Sequence, residues 1–253
     1  MAVAANPIEQ FEIHNYFPVF KIAGHQISFT DSAVFMVLAV VLTAALMLGA
    51  TSGRRLVPTR MQSVAEILYE FIADMIRSTT GEHGLKFFPL VFSVFMFVLI
   101  SNLVGLIPYS FSVTSQVIVT ASLALLVFFT VIIHGFVHHG LHFLKLFVPS
   151  GVPILILPMI AVIELLSFLA RPVSHSLRLF ANILAGHITL NLVGSFAAMM
   201  IAAFGVVGWL GATLPVAFAV ALFALELLVA LLQAYVFAIL TCIYLNDSLH
   251  PGH

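Results

Sequence analysis

The chain has 253 residues and a net charge of −1, and 62% of its residues are hydrophobic while only 8% are charged. Soluble domains carry about a quarter charged residues, so this composition, with a mean hydropathy of +1.18, excludes an ordinary soluble protein and indicates a membrane protein. The balanced charge and the lack of a long basic run exclude nucleic acid as a partner.

The amino-terminal segment, 1–30, is polar and acidic, and no basic region leads into an apolar core, so we expect no cleavable signal or transit peptide. Residues 31–50 form the first apolar run, about as long as a helix that crosses roughly 30 Å of hydrocarbon. The segment SGRRLVPTR at 52–60 then holds three of the nine basic residues. Because such clusters stay on the cytoplasmic side, we expect the amino-terminal segment to lie outside.

A helix with two unlike faces is predicted over 59–80. Apolar residues recur there at helical spacing, opposite charged residues. We therefore expect an amphipathic helix on the cytoplasmic surface of the membrane. Its apolar face consists of Val64, Ile67, Leu68, Phe71, Ile72 and Met75, and its charged face of Glu66, Glu70, Asp74 and Arg77.

Four further apolar stretches predict the remaining membrane helices. The third span ends in a histidine-rich segment, and Lys145 marks a return to the cytoplasm. Three glycines and a proline separate the last two stretches, so we expect a turn there. The fold class is thus an all-α polytopic membrane protein, one domain over 1–253 with five crossings and a cytoplasmic carboxyl terminus. The expected spans are 87–107, 117–136, 153–204 and 212–246, with the turn at Gly205, Gly208, Gly211 and Pro215.

Ionisable residues inside the last two stretches indicate a function. Each costs about 2.5 to 3.5 kcal/mol near the bilayer centre on insertion scales. On a helix, four polar residues of the fourth span fall on one stripe, whereas His187 lies further along on the opposite face. The stripe consists of Glu164, Arg171, Arg178 and Asn182.

Folding the fifth span back on the fourth, around a turn near Val206 or Val207, brings distant residues to equal depth in the membrane. We expect Glu226 level with His187, Gln233 within a turn of Arg178 and able to bind its guanidinium, and Asp247 near Glu164. Arg178 thus stands between two groups of titratable residues.

This arrangement is suited to proton movement. Histidine and buried carboxyl groups exchange protons, whereas arginine does not deprotonate and repels a passing proton. Arg178 is therefore interpreted as a barrier. No second carboxylate of this chain is placed to cycle beside it, so a partner subunit is implied.

Three segments resemble subunit a of the F-type ATP synthase, in the variant of mitochondria and related bacteria. They are RLFANILAGH at 178–187, NLVGLIPY at 102–109 and ELLVALLQAYVFAILTCIYLND at 226–247. The resemblance implies that the last two helices form a long, tilted hairpin against a rotating proteolipid ring, with two half-channels offset on either side of the arginine.

By this resemblance Arg178 is the essential arginine, accompanied by Asn182 and Gln233. The outer half-channel would contain His187, Glu226 and Asn102, and the inner one Glu164, with Asp247 assigned there from its expected depth. Outside the family motif are His175 and the histidines His134, His138, His139 and His142.

The implied partners are the proteolipid ring, the peripheral-stalk subunit b, other ATP synthase subunits and membrane lipid, with no cofactor and no metal. The implied location is the bacterial inner membrane, or alternatively the mitochondrial inner membrane. As a subunit, the chain would conduct protons without being an enzyme on its own.

Two other functions compete with this one. The spacing of His134, His138 and His142 is compatible with a haem or metal site in a redox protein. An independent transporter or channel would also use charges within the membrane, but we find no internal repeat of the kind typical of transporters.

Overall fold

A computed structural model describes residues 15–22, 25–52, 58–107, 110–147 and 156–249. Within these residues the chain is almost entirely helical, with one hairpin of two short strands before the first helix. Residues 1–14 and the expected start of the fourth span at 153 lie outside the described residues.

The two strands, β1 (Asn15–Ile22) and β2 (His25–Thr30), pair in antiparallel fashion and were not predicted. The sequence carries a signal for them, because aromatic and β-branched residues flank an Ala-Gly pair at 23–24. Helix α1 (Asp31–Thr51) follows directly. The Thr30 hydroxyl accepts a hydrogen bond from the backbone N–H of Ala33 and so caps the start of α1.

The predicted amphipathic helix is α2 (Arg60–Thr80). It buries Ile72 and Ile76 in the main hydrophobic core, while its acidic residues, such as Glu70, are exposed. Gly81, at φ 69°, ends the helix in a conformation that side chains with a Cβ rarely adopt.

Helices α3 (Phe88–Gly105) and α4 (Val117–His139) are the next membrane helices. Helix α4 continues past the expected end at 136 and stops where Gly140 has φ 52°. Short 3₁₀ segments adjoin these two helices at Glu82–Phe87, Val113–Ser115 and Gly140–Phe147.

The last element, α5 (Leu157–Leu249), is helical throughout except at Gly205, with φ 53° and ψ −125°. Contacts between residues on the two sides of Gly205 are antiparallel, so the chain reverses there into a first arm (157–204) and a second arm (206–249). The reversal takes place at Gly205 alone, whereas a turn over Gly205, Gly208, Gly211 and Pro215 was expected from the sequence. Gly208 is helical and lies so close to the backbone of Met200 that a Cβ would not fit.

The core lies where the second arm of α5 meets α3. Ala230, Ala234 and Ala238 recur every four residues along the arm and are completely buried. Small side chains at this spacing let two helices approach closely. The second arm can therefore pack tightly against α3.

In the described part of the chain, four helical stretches are long and apolar enough to cross a membrane, and α5 is long enough for each arm to do so. This confirms the all-α polytopic fold. The helical stretches are Asp31–Thr51, Glu82–Gly105, Val117–His139 and Leu157–Leu249.

Candidate functional site

Arg178 lies on the exposed face of the first arm of α5. Leu179 and Ile183, beside it on the helix, are only 1% and 2% exposed, so the arm turns its arginine away from the core. Among the residues that the structure describes, the guanidinium of Arg178 makes no hydrogen bond and no ion pair. Arg178 lines an open groove of about 620 Å³ together with Ala170, Val173, Ser174 and Leu177.

Gln233 lies at the level of Arg178, but it contacts the arginine backbone. Its side-chain amide donates a hydrogen bond to the carbonyl oxygen of Arg178 over 3.4 Å, and the residue is only 6% exposed. Gln233 therefore joins the two arms of α5 at this depth without binding the guanidinium.

Asn182 lies one turn beyond Arg178, on the same exposed face. It lines a second cavity, of about 270 Å³, between the two arms. Glu226 lies on the opposite wall, so the cavity connects the surroundings of Asn182 with a buried carboxyl group. The other lining residues are Ala185, Gly186, Thr189, Leu222, Leu225 and Val229.

His187 and Glu226 face each other across the hairpin. The distance between His187 Nε2 and Glu226 Oε1 is 3.7 Å, and the two side chains are 15% and 6% exposed. Glu226 Oε1 has no hydrogen-bond partner within the described part of the chain. Gly186 provides the space for this carboxyl group, because a Cβ at that position would lie 2.7 Å from Glu226 Oε1. This role of Gly186 was not predicted from the sequence.

Asn102 is buried and links α3 to the second arm of α5 through a hydrogen bond. Its amide nitrogen donates to the carbonyl oxygen of Ala230 over 3.1 Å, and its amide oxygen accepts from the Thr114 hydroxyl over 2.7 Å. Since Ala230 follows Glu226 by one helical turn, Asn102 holds the segment of α5 that carries this carboxyl group.

Asp247 forms an ion pair with Arg171, with 2.5 Å between Oδ2 and Nη1. From the sequence, Asp247 was expected near Glu164, which lies two helical turns further from Arg178 than Arg171 does. Glu164 is half-buried and has no ion pair or hydrogen bond among the described residues. The structure therefore gives the two carboxylates different surroundings.

His175 lies in the core. It is not one of the residues of the family motif. It is 3% exposed, its ring is edge-on to Phe237 with 3.8 Å between centroids, and neither ring nitrogen has a hydrogen-bond partner among the described residues. It borders a cavity of about 10 Å³, roughly the space of one water molecule.

The other histidines make local contacts near the end of α4. His134 Nδ1 lies 3.3 Å from the Ser248 hydroxyl, and its ring stacks on His138 with 4.1 Å between centroids. In the described part of the chain, no group of three or more His, Cys, Asp or Glu residues could hold a metal ion. The side chains of His142 and Lys145 lie outside the described residues.

Comparison with known proteins gives matches along nearly the whole sequence. Residues 33–246 match the family described as ATP synthase A chain. ATP synthase subunit a of Nitrobacter winogradskyi is 63% identical over 98% of this chain and 99% of its own length. The subunits a of Rhodopseudomonas palustris and Afipia carboxidovorans are 62% and 63% identical over 99% and 98% of this chain and all of their own length.

Proposed function

The chain belongs to the ATP synthase A chain family, and from this we propose that α5 carries two offset proton half-channels separated by Arg178. Membership in the family makes it a proton-translocating membrane subunit that serves ATP synthesis. In the proposed mechanism, the half-channels load and unload the carboxyl groups of a rotating proteolipid ring.

The observation that carries this proposal is the environment of Arg178. An exposed guanidinium on an apolar helix face is costly in a membrane unless it meets a polar partner. Because it makes no ion pair within the described residues, we assign the carboxylate that compensates it to another subunit. A ring carboxyl group would lose its proton on reaching Arg178, be held as the anion, and regain a proton from the other half-channel.

The outer half-channel is assigned to His187 and Glu226, whose side chains lie 3.7 Å apart. The cavity lined by Glu226 and Asn182 offers a route from this pair to the face that carries Arg178. Asn102 contributes indirectly, because its hydrogen bond to Ala230 positions the backbone one helical turn from Glu226. It is too deeply buried, at 1% exposure, to line an open water channel itself.

The inner half-channel is assigned to the part of α5 on the other side of Arg178, where Glu164 is the proton-exchanging carboxyl group and Asp247 pairs with Arg171. Glu164 would exchange protons with the cytoplasm, because it is half-buried and unpaired among the described residues. This assignment assumes that the amino terminus lies outside and the carboxyl terminus in the cytoplasm. The basic segment at 52–60 supports that orientation.

The proposed partners are the other ATP synthase subunits, above all the proteolipid ring at Arg178 and the peripheral-stalk subunit b. The proposed location is the bacterial inner membrane, since the relatives named above are bacterial proteins. In this arrangement the chain contributes the proton path, while the chemistry of ATP takes place on other subunits.

The test is coupled ATP synthesis by membranes that carry Arg178→Ala. The substitution removes the barrier and the counter-ion of the ring carboxylate together, so we expect synthesis to be abolished in complexes that assemble normally. Arg77→Ala is the matched control, because Arg77 is half-exposed on α2 and its ion pairs are with the exposed acids Asp74 and Glu82. ATP synthesis at the normal rate in the Arg178→Ala membranes would overturn the proposal.

A further inference from the structure

Helix α5 carries two arginines, Arg171 and Arg178, and no lysine. Arg178 has no charged partner among the described residues, whereas Arg171 binds Asp247 from the end of the second arm. The two arginines of the hairpin thus differ: the positive charge of Arg171 is compensated by a carboxylate of this chain, and that of Arg178 is not compensated by any described residue.

The Arg171 guanidinium is held in place on several sides. Its central carbon lies 5.3 Å from the ring centre of Phe168 and 5.1 Å from that of Tyr244, which are favourable cation–π distances. The side chains of Arg171 and Asp247 are each 26% exposed. Charges with this little exposure are screened by salt less than charges at the surface.

Arg171 also occupies a particular position along the proposed inner half-channel. Glu164, Arg171 and Arg178 follow one another at intervals of seven residues, which is roughly 10 Å of helix axis and nearly the same face. A proton that moves between Glu164 and the surroundings of Arg178 therefore passes Arg171 midway.

We propose that Asp247 cancels the charge of Arg171, so that Arg178 is the only uncompensated cation that the described residues place on the inner proton path. This inference rests on the proposed function and assigns Asp247 a positioning and charge-compensating role instead of a proton-carrying one. Glu164 is then the carboxyl group that exchanges protons. Without Asp247, Arg171 would become a second barrier in front of Arg178.

The expected size of the effect follows from Coulomb's law. At an effective dielectric constant of about 20, the uncompensated charge of Arg171 raises the energy of a proton about 10 Å away along the helix axis, at the level of Glu164, enough to slow its transfer about tenfold. The asymmetry between the partners is the distinctive feature. Loss of the anion should impair proton uptake, whereas loss of the cation should not.

The experiment measures ATP-driven proton pumping in inverted membrane vesicles that contain the whole complex, because pumping in this direction takes protons up from the cytoplasmic side. We expect Asp247→Asn to lower the pumping rate about tenfold. Arg171→Gln and the double variant Arg171→Gln with Asp247→Asn should pump nearly as fast as the unaltered complex. Asp247→Glu, which keeps the negative charge, should also retain pumping.

Three outcomes would overturn the inference. If Asp247→Asn pumps normally, the charge of Arg171 does not matter. If the double variant remains as slow as Asp247→Asn, Asp247 is itself a proton carrier. If Arg171→Gln and Asp247→Asn are equally impaired, the pair only holds the two arms together.

Two further comparisons separate this inference from poor assembly of the complex and from failure of the proposed half-channels. Should Asp247→Asn not assemble, the double variant still decides whether a carboxylate is needed at position 247. Arg178→Ala, measured in parallel, tests the half-channels independently. If it stops pumping while Asp247→Asn does not, only the role of Asp247 is overturned.

Discussion

The side chain of Gln233 binds the backbone carbonyl oxygen of Arg178 and not its guanidinium. The hydrogen bond crosses the hairpin where the first arm of α5 turns its arginine outward, so Gln233 fixes the depth of Arg178 without neutralising it. A guanidinium held in this way remains available to a carboxylate of another subunit.

This contact predicts an unusual order of severity at position 233. Gln233→Leu removes one hydrogen bond, worth about 0.5 to 1.5 kcal/mol, and should reduce ATP-driven proton pumping moderately. Gln233→Glu should be more damaging, because a carboxylate next to Arg178 would compete with the ring carboxylate. Pumping in inverted vesicles measures both variants, and a Glu variant that pumps faster than the Leu variant would contradict the proposed competition.

Arg178→Lys keeps a positive charge and tests whether charge alone is sufficient. We expect it to fail in ATP synthesis, because a compact ammonium group lacks the planar arrangement of five donors that binds a carboxylate in a fixed geometry. The measurement is ATP synthesis driven by an imposed proton gradient, with the amount of assembled complex determined in the same membranes. Normal synthesis would show that any cation at this position separates the half-channels.

His187 and Glu226 should act as one unit, because their side chains lie 3.7 Å apart. A double-mutant cycle with His187→Leu and Glu226→Gln should give effects on proton flux that are not additive, with a coupling of about 0.5 to 3 kcal/mol. The control cycle combines Glu226→Gln with Asp74→Asn, since Asp74 is an exposed residue of α2. Additive effects in both cycles would argue against a shared proton path.

Gly186 provides a test that leaves every titratable group in place. In Gly186→Ala the new Cβ would lie 2.7 Å from Glu226 Oε1, so the carboxyl group must shift from its position beside His187. We expect slower proton flux from this substitution. Gly194→Ala is the matched control on the same arm, because a Cβ there meets no atom within 4 Å. Equal flux in the two variants would show that the position of Glu226 is not critical.

The sequence predicted the membrane helices well because their signal is local. An apolar run of sufficient length specifies a spanning helix regardless of its neighbours, and α1, for example, ends at Thr51 where the apolar run was expected to end at 50. The amino-terminal strands were missed because the segment was interpreted from its polarity, although its pattern of aromatic and β-branched residues favours a hairpin.

The residue contacts of α5 were only partly predictable. Equal depth on either side of a turn predicted that His187 and Glu226 are neighbours, and the structure places them in contact. Depth does not show how far a long side chain extends, so Arg171 was not recognised as the partner of Asp247. Nor does it distinguish a backbone acceptor from a side-chain acceptor, which is why the contact of Gln233 differed from the expectation.

The assignment of Glu164 to the inner half-channel can be tested by its accessibility to water. In a background in which the buried Cys242 is replaced by alanine, Glu164→Cys should be modified by a membrane-impermeant thiol reagent applied from the cytoplasmic face. The reason is that Glu164 is half-buried and precedes Arg178 by roughly 21 Å along the first arm, on the side assigned to the cytoplasm. Glu226→Cys, beyond the arginine in the folded hairpin, should be modified from the outer face.

The control is the background variant without an added cysteine, which should remain unlabelled from both faces. Labelling of position 164 only from the outer face would reverse the proposed topology and exchange the two half-channels. Protection of position 164 from both faces would remove Glu164 from the aqueous path, and the half-buried carboxylate would then be a residue that contacts lipid headgroups.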